Sequence, residues 1–280
     1  MNAIWSRDTF AGWPLAAALL ALAMPAETLG QTNDAAPTNA PAEVKLWFQV
    51  GEELVYSLHW GVLPIGEARL TTAWIEEDGQ RRLQIRDRTR SSKLLAAIYP
   101  VDDLIESVVD PATFLPIRFT KNLKEGKHRY DEVTTFDYER RTAFWESHIT
   151  REQKQLPIRE DTRDLLTFLY FTRSRDIEAG AGREYQIAAD DEVYDVSYEI
   201  AGVEAVKLEH YGPVASYKIK PETSLQGLFV HTGQVWVWVS RDERRIATKI
   251  TAAAPIGHIR ATLREVIGSG DDRWNRPARK

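Results

Sequence analysis

The residues able to do chemistry are few in this chain and widely spaced. Cysteine is absent, and both methionines, Met1 and Met24, lie near the start, so thiol nucleophiles and thiolate metal sites are excluded. No two of the six histidines lie close enough for one strand or helix to present both to a metal, although convergence of distant histidines stays open. Neither Gly-x-Ser-x-Gly nor His-Glu-x-x-His occurs. The sequence therefore predicts no catalytic residues, no metal ligands and no cofactor.

Paired carboxylates are the remaining route to catalysis, because glycoside hydrolysis needs two acids at a fixed separation. Asp102 and Asp103 are neighbours, and neighbours on a strand point to opposite faces. The run Asp190-Asp191-Glu192 is typical of a turn. Neither set makes a convincing pair, so a glycan hydrolase is the least favoured function.

An arginine-rich strand face could bind an anionic headgroup or a glycan. Residues 82–90 alternate in character, which places their arginines on one face of a predicted strand. Carboxylates on adjacent strands would neutralise these arginines at least as readily. The formal net charge of −5 at pH 7 argues against nucleic-acid binding. The arginines are Arg82, Arg86, Arg88 and Arg90.

Apolar residues in predicted connections are more unusual, since connections are normally polar and exposed. They occur between the first two predicted strands, after the third, and in a glycine-containing connection near residue 228. The simpler interpretation is that these loops fold over one end of the sheet and plug its core. The sharper hypothesis is that they surround an apolar pocket. Its candidate ligand-binding residues are Val62, Leu63, Ile65, Leu94, Leu95, Ile98, Tyr99, Leu228 and Phe229.

Residues 1–30 have the three parts of a secretory signal peptide. Arg7 provides a thin positive region, residues 13–24 are apolar, and Thr28-Leu29-Gly30 supplies small residues for cleavage. The apolar stretch is too short for a membrane-spanning helix, which needs about twenty residues. Without a cysteine, no lipidated cysteine can anchor the protein. We therefore expect a periplasmic or secreted protein with no integral membrane span in its mature chain.

The rest of the chain is predicted to form one domain between two loose ends. Residues 31–45 begin with a mixture of Ala, Pro, Asn and Thr that has no hydrophobic period, which indicates a disordered leader. Residues 268–280 are rich in Gly, Asp and Arg and are predicted to form a flexible tail. Between them, residues 46–267 show no linker-like change in composition, so we expect a single β-rich domain.

Apolar and polar residues alternate with a period of two through most of this domain, as in half-buried strands. Residues 53–60 and 67–74 form a predicted hairpin across residues 61–66. So many strands predict one large antiparallel sheet, strongly curved or forming a partial barrel, because twist accumulates and open edges invite aggregation. Residues 161–173 instead repeat leucines at helical spacing, which predicts one amphipathic helix covering an open side of the sheet. Residues 94–98 could add a further helical turn.

Short motifs run through this domain. They are Val50-Gly51-Glu52, Leu54-Val55-Tyr56, Trp60-Gly61, Ile65-Gly66-Glu67-Ala68, Tyr99-Pro100-Val101, Phe136-Asp137, Asp164-Leu165-Leu166, Leu169-Tyr170, Trp238-Val239-Ser240 with Asp242, and Ile256-Gly257. On these motifs the chain resembles the bacterial envelope family called domain of unknown function 3108, over roughly Phe48 to Val266. The resemblance implies an envelope location and a fold; it implies no activity and no site residues.

Three functions follow from these observations. The leading hypothesis is a non-enzymatic periplasmic protein that binds or carries an apolar or amphipathic envelope molecule, because apolar loops lie beside a helix that could act as a lid. The second is a structural or protein-interaction component of the envelope without a small-molecule ligand, whose exposed sheet edges a partner strand could extend. A glycan hydrolase comes third. No nucleic-acid partner is expected.

Overall fold

The computed structural model describes residues 45–223, 235–253 and 257–268. These residues form fourteen strands and two short helices. The strands are β1 (Glu53–Trp60), β2 (Leu63–Glu77), β3 (Gln80–Ser91), β4 (Asp102–Asp110), β5 (Leu115–Glu125), β6 (His128–Asp137), β7 (Thr142–Ser147), β8 (Gln153–Pro157), β9 (Tyr185–Ala189), β10 (Glu192–Leu208), β11 (Gly212–Thr223), β12 (Val235–Ser240), β13 (Ala247–Ala253) and β14 (His258–Ile267), and the helices are α1 (Lys93–Ala96) and α2 (Leu165–Thr172).

All fourteen strands belong to one antiparallel sheet. Strands β1 to β8 lie side by side in chain order, and so do strands β9 to β14. β1 pairs with β14, which joins the two runs. The sheet does not close, because β8 and β9 are left as its two edges. The prediction of a single large antiparallel sheet or partial barrel is therefore confirmed.

Alternate residues of the central strands face a common core. On β1, Leu54, Tyr56 and Leu58 are buried, and so are their register partners on β14. Side chains from β1, β2, β12 and β13 line one void against α2, with a volume of about 10 Å³. A void of that size holds one water molecule at most. The sheet therefore curls until its two halves share one packed interior.

The helix α2 fills this interior. Asp164 caps its first turn by accepting a hydrogen bond from the backbone N–H of Thr167 at 2.8 Å. All eight helical residues are buried, and the helix contacts β3, β4 and β9. The predicted helix is thus present but shorter than residues 161–173. It is not amphipathic, because the curled sheet leaves it no face toward solvent.

The chain just before α2, rather than the helix that was predicted to cover the open side, lies beside the edge strand β9. Arg163 donates its backbone N–H to Gln186 on β9 at 3.1 Å and accepts one from Ala188 at 2.9 Å. Since this segment follows β8 in the chain and pairs with β9, it lies where the sheet stays open.

A buried ion pair fastens the other end of α2. The guanidinium of Arg173 donates two hydrogen bonds to the carboxylate of Glu52, at 2.5 and 3.0 Å. Its Nε also donates to the backbone carbonyl of Arg244 at 2.9 Å. Nearby, Trp47 Nε1 donates to the carbonyl of Tyr170 at 2.7 Å. The segment before β1 and the turn between β12 and β13 are therefore both tied to α2.

The tip of the β10–β11 hairpin forms a second layer outside the sheet. β10 shifts its register with β11 at Gly202 and continues along the outer face of β1, β14 and β13, whose outward residues line a cleft beneath it. Beyond the bend, Val206 and Leu208 are buried. Tyr211 anchors the tip, because its hydroxyl accepts a hydrogen bond from the backbone N–H of Val266 at 2.7 Å.

Local structure differs from the sequence prediction in three places. The first hairpin needs only the two-residue turn Gly61-Val62, so Leu63 and Ile65 belong to β2 rather than to a loop. β8 was not predicted, because it is mostly polar and has little alternation. β10 is one strand of 17 residues, whereas the turn signal Ala201-Gly202 in the sequence predicts two strands, residues 194–200 and 203–208.

The predicted signal peptide (residues 1–30), the leader (residues 31–45, apart from Lys45) and the tail (residues 268–280, apart from Gly268) lie outside the described residues. Within the part of the chain that is described, no helix has the length and apolar character to cross a membrane.

Candidate functional site

Two of the three apolar segments singled out from the sequence lie side by side. Ser92, the residue that caps α1, donates its backbone N–H to the carbonyl of Ile65 at 2.7 Å. Its hydroxyl donates to the carbonyl of Pro64 at 3.2 Å. The start of β2 and the short helix α1 are therefore joined at one end of the sheet. The third segment, with Leu228 and Phe229, lies outside the described residues.

Four of the candidate side chains are strongly exposed although they are apolar. Their exposed fractions are 90% for Val62, 57% for Leu63, 75% for Leu94 and 83% for Ile98. We call these four residues the apolar rim. Exposed apolar groups that adjoin one another indicate a binding surface more often than single ones do.

The other described candidates do not belong to the rim. Ile65 is buried in the core, and Leu95 is half-buried against it. Tyr99 is half-buried, and its ring lies so close to Gly126 that a β-carbon there would stand 2.6 Å from it. These three residues plug the end of the sheet, as the simpler interpretation held. The same two segments therefore carry both kinds of side chain. Four are exposed and form the rim, and the other three pack inward at the end of the sheet.

A cluster of buried acids lies behind Tyr99. Asp103 on β4 accepts a hydrogen bond from the backbone N–H of Lys124 at 2.9 Å and shares another with Glu125. Asp87 on β3 accepts one from the hydroxyl of Thr89 at 3.2 Å. All three acids are at most 2% exposed. We call Asp87, Asp103 and Glu125 the buried acid cluster.

Burial makes these acids unusually weak. Desolvation raises the pKa of Asp87 to about 7, with a further contribution from the charge of Asp103. Desolvation also raises the pKa of Asp103 to about 6. A carboxyl group with such a pKa can exchange protons near neutral pH, but a substrate cannot reach groups that solvent does not. The cluster is a buried proton-binding site rather than a catalytic pair.

The sequence carried a signal for this cluster. In the predicted third strand, Asp87 alternates with Arg86 and Arg88 and so shares its face with Leu83 and Ile85. A carboxylate on an apolar strand face is expensive unless it is paired or protonated. The prediction that neighbours Asp102 and Asp103 point apart also holds, because only Asp103 is buried.

A buried serine beside an acid does not form a nucleophile. Ser107 donates to Asp164 Oδ2 at 2.5 Å and lies 2.8 Å from the hydroxyl of Thr167. Ser107, Thr167 and Asp164 are fully buried, and the acid already caps α2. Burial raises the pKa of Asp164 to about 6 despite these hydrogen bonds. The network therefore fixes the helix against β4.

The arginine face of β3 is neutralised by the adjacent strand. Arg86 pairs with Glu106 at 2.6 Å. Arg88 pairs with Asp102 at 2.5 Å and Arg90 with the same carboxylate at 3.0 Å. Arg82 likewise pairs with Asp110 at 2.8 Å. Each of these four arginines is therefore engaged in a surface ion pair, although they share three carboxylates.

Metal ligands do not assemble in the described part of the chain. There, no group of three or more His, Cys, Asp or Glu side chains is arranged to hold a metal ion. Lys121 illustrates how acids are used instead: its ammonium lies 2.8 Å from Glu132 on β6 and also pairs with Asp190. Because Asp190 sits in the turn between β9 and β10, this pair ties the two halves of the sheet together.

Comparison with known proteins identifies a family and a fold. A family model described as "Protein of unknown function (DUF3108)" matches residues 55–264, which confirms the resemblance seen in the sequence motifs. No curated protein matches the chain. Among solved structures, the chain is similar to a β-barrel-like protein of domain of unknown function DUF1849 from Brucella abortus. That match has a TM-score of 0.52 at 11% identity and covers 78% of this chain and 97% of the other. At this identity the likeness shows the fold alone.

Proposed function

The chain belongs to the DUF3108 family, and because that family is described only as of unknown function, we propose a function from the structure itself. We propose a non-enzymatic periplasmic or secreted protein that binds or carries an apolar or amphipathic molecule of the cell envelope. The apolar rim is the contact surface for that molecule. The signal-peptide pattern of residues 1–30 supports the location.

The observation that carries this proposal is the exposure of the rim. Val62, Leu63, Leu94 and Ile98 are each more than half exposed on two joined segments. Folding gains nothing from leaving such side chains in water, whereas covering each one contributes about 1.5–3 kcal/mol. An apolar ligand or the acyl chains of an amphipathic one would provide that cover.

The packed interior refines the hypothesis of a pocket. Because α2 occupies the core and the void beside it has a volume of about 10 Å³, the described part of the sheet has no room there for an acyl chain. Binding is therefore assigned to the end of the sheet. The helix α2 lies in the core with all eight residues buried, so we do not assign it the role of a lid.

The alternative, a protein-interaction component, is favoured by the open sheet edges. β8 has no strand partner on its outer side within the described residues. However, it carries Lys154 and ends at Pro157, and both residue types protect edges from further pairing. A hydrolase is disfavoured because Asp87, Asp103 and Glu125, the acids that come together, are buried.

The rim is tested by placing a charge on it. We expect Leu63→Glu and Leu94→Glu each to weaken binding of a fluorescent hydrophobic probe by at least about tenfold. Each variant removes an apolar contact that contributes about 1.5–3 kcal/mol. Both variants should keep the melting temperature within a few degrees, because substitutions of exposed residues rarely change stability by more than about 0.5 kcal/mol. Ile65→Glu should melt far lower, because its side chain is buried.

The matched control is Ile149→Glu. Ile149 is 52% exposed but lies in the turn after β7, on a different part of the sheet. The variant Ile149→Glu introduces the same charge at a position whose exposure is similar to that of Leu63. If it weakens probe binding as much as Leu63→Glu does, or if neither rim variant changes it, the rim is not the binding surface. Lipid mass spectrometry on the purified protein identifies a natural ligand that co-purifies with it.

A further inference from the structure

A second surface lies on the opposite face of the sheet from the core. The tip of the β10–β11 hairpin and the outer face of β1, β14 and β13 enclose a cleft with a volume of about 410 Å³. On the outer face, His59 lies opposite Arg260, and Ser57 lies opposite Thr262, which in turn lies opposite Lys249. From the hairpin, residues 205–207 and Glu209 complete the lining.

The cleft has more cations than the protein neutralises. Arg264 donates to Glu67 at 2.5 Å and is thereby paired. Lys207 and Arg260 make no hydrogen bond or ion pair with any described residue. With Glu209 offsetting one cation of the lining, two positive charges remain, in a protein whose formal net charge is −5.

The third cation, Lys249, is positioned without an acid partner. Its ammonium lies 3.5 Å from the centre of the Trp238 ring, which holds the side chain in place by a cation–π contact. The nearest carboxylate, Glu204, is already occupied, because it accepts from Trp238 Nε1 at 2.7 Å and from Lys218 at 3.0 Å. Glu204 still attracts the ammonium of Lys249, but no hydrogen bond or ion pair joins the two, so Lys249 keeps its hydrogen-bonding capacity for the cleft that it lines.

Further hydrogen-bond donors face the same space. The hydroxyls of Ser57 and Thr262 lie on the same face. Among the described residues, residues 203–208 of β10 pair as a strand with β11 alone, which leaves their other edge without a strand partner.

We infer that this outer cleft binds a phosphate group, held by Arg260, Lys249 and Lys207. The two uncompensated charges match a phosphate dianion, and convergent charged and neutral donors suit its tetrahedral oxygens. The group comes either from free phosphate or from an anionic lipid headgroup. Arg260 is two register positions from the turn that bears Val62, but the inference does not depend on the rim.

The test is calorimetric titration of inorganic phosphate into the purified full-length protein at constant ionic strength and neutral pH. In parallel, sedimentation measures binding to phosphatidylcholine vesicles with and without phosphatidylglycerol. The variant is the double substitution Lys249→Gln and Arg260→Gln. We expect it to weaken binding by at least about tenfold, because it removes two charge-assisted contacts with the phosphate.

The matched control is the double substitution Lys127→Gln and Lys154→Gln. It removes the same charge from exposed positions outside the cleft and should leave binding unchanged. Phosphate binding lost only in the cleft variant identifies free phosphate as the ligand. Vesicle binding that needs phosphatidylglycerol and is lost only in the cleft variant identifies a headgroup. The inference is overturned if neither ligand binds, or if the control loses as much binding as the cleft variant. Leu63→Glu should leave phosphate binding intact, which separates this inference from the rim.

Discussion

Replacing Arg173 with methionine is expected to lower the free energy of unfolding by about 3–5 kcal/mol, because it leaves the carboxylate of Glu52 buried without its partner. The two side chains are at most 4% exposed, so water cannot take over the lost hydrogen bonds. The carbonyl of Arg244 would also lose its donor. Urea denaturation monitored by tryptophan fluorescence measures the change.

Two further variants show whether the loss comes from the unpaired charge. The double variant Glu52→Leu with Arg173→Met should recover most of the stability, since apolar pairs replace buried ion pairs with little loss. Arg118→Met breaks the ion pair with Glu77, both side chains of which are partly exposed, and should lose no more than about 1 kcal/mol. A loss for Arg173→Met as small as that for Arg118→Met would contradict the role assigned to the buried pair.

Replacing Asp87 with asparagine is expected to stabilise the protein, and increasingly so as the pH rises. Its pKa is about 7 in the folded protein against about 4 in an unfolded chain. The folded state therefore holds a proton that the unfolded state releases, so the free energy of unfolding falls as the pH rises from about 4 to 7. Asparagine cannot ionise. The gain over the natural protein should approach about 4 kcal/mol above pH 7 and shrink toward pH 4.

Asp102→Asn provides the opposite sign on the adjacent strand, β4. Partial burial raises the pKa of Asp102, but the hydrogen bonds from Arg88 and Arg90 outweigh it and leave that pKa below its usual value. Its ionised form stabilises the fold, so asparagine should destabilise slightly at neutral pH and become neutral as the pH falls through the depressed pKa. Thermal melts of both variants between about pH 2 and 8, a range that includes both titrations, measure these trends. Parallel pH dependence for the two variants would refute the assignment of Asp87 as a buried proton-binding group.

The sequence predicted the strands of the sheet better than it predicted the second layer, which the tip of the β10–β11 hairpin forms. Alternation with a period of two revealed most strands, because each has one face on the core. β8 escaped because an edge strand of polar residues leaves no such pattern. The break at Gly202 suggested two strands, whereas the register shift there bends a single one. The fold-over of the hairpin depends on contacts such as Tyr211 with Val266, 55 residues apart, and no local pattern reports them.

The candidate site was predictable in part for the same reason. Unusual apolar connections pointed to Val62, Leu63, Leu94 and Ile98, which are exposed, but they also pointed to Ile65, which is buried. Separating them required the length of the turn, which places Ile65 within β2. The outer cleft could not be foreseen, because His59, Lys249 and Arg260 come from three strands whose pairing joins distant parts of the chain.

The pairing of β1 with β14 also decides when the protein can finish folding. These strands lie side by side at the centre of the sheet, yet Leu54 and its partner Val266 are separated by almost the whole domain. Closing so long a loop costs entropy before any contact rewards it, so folding should be slow for the size of the protein. During synthesis from the N-terminus, β1 keeps an unpaired edge until β14 has been made. The early chain is therefore the stage at which the protein is most exposed to aggregation and most dependent on a chaperone.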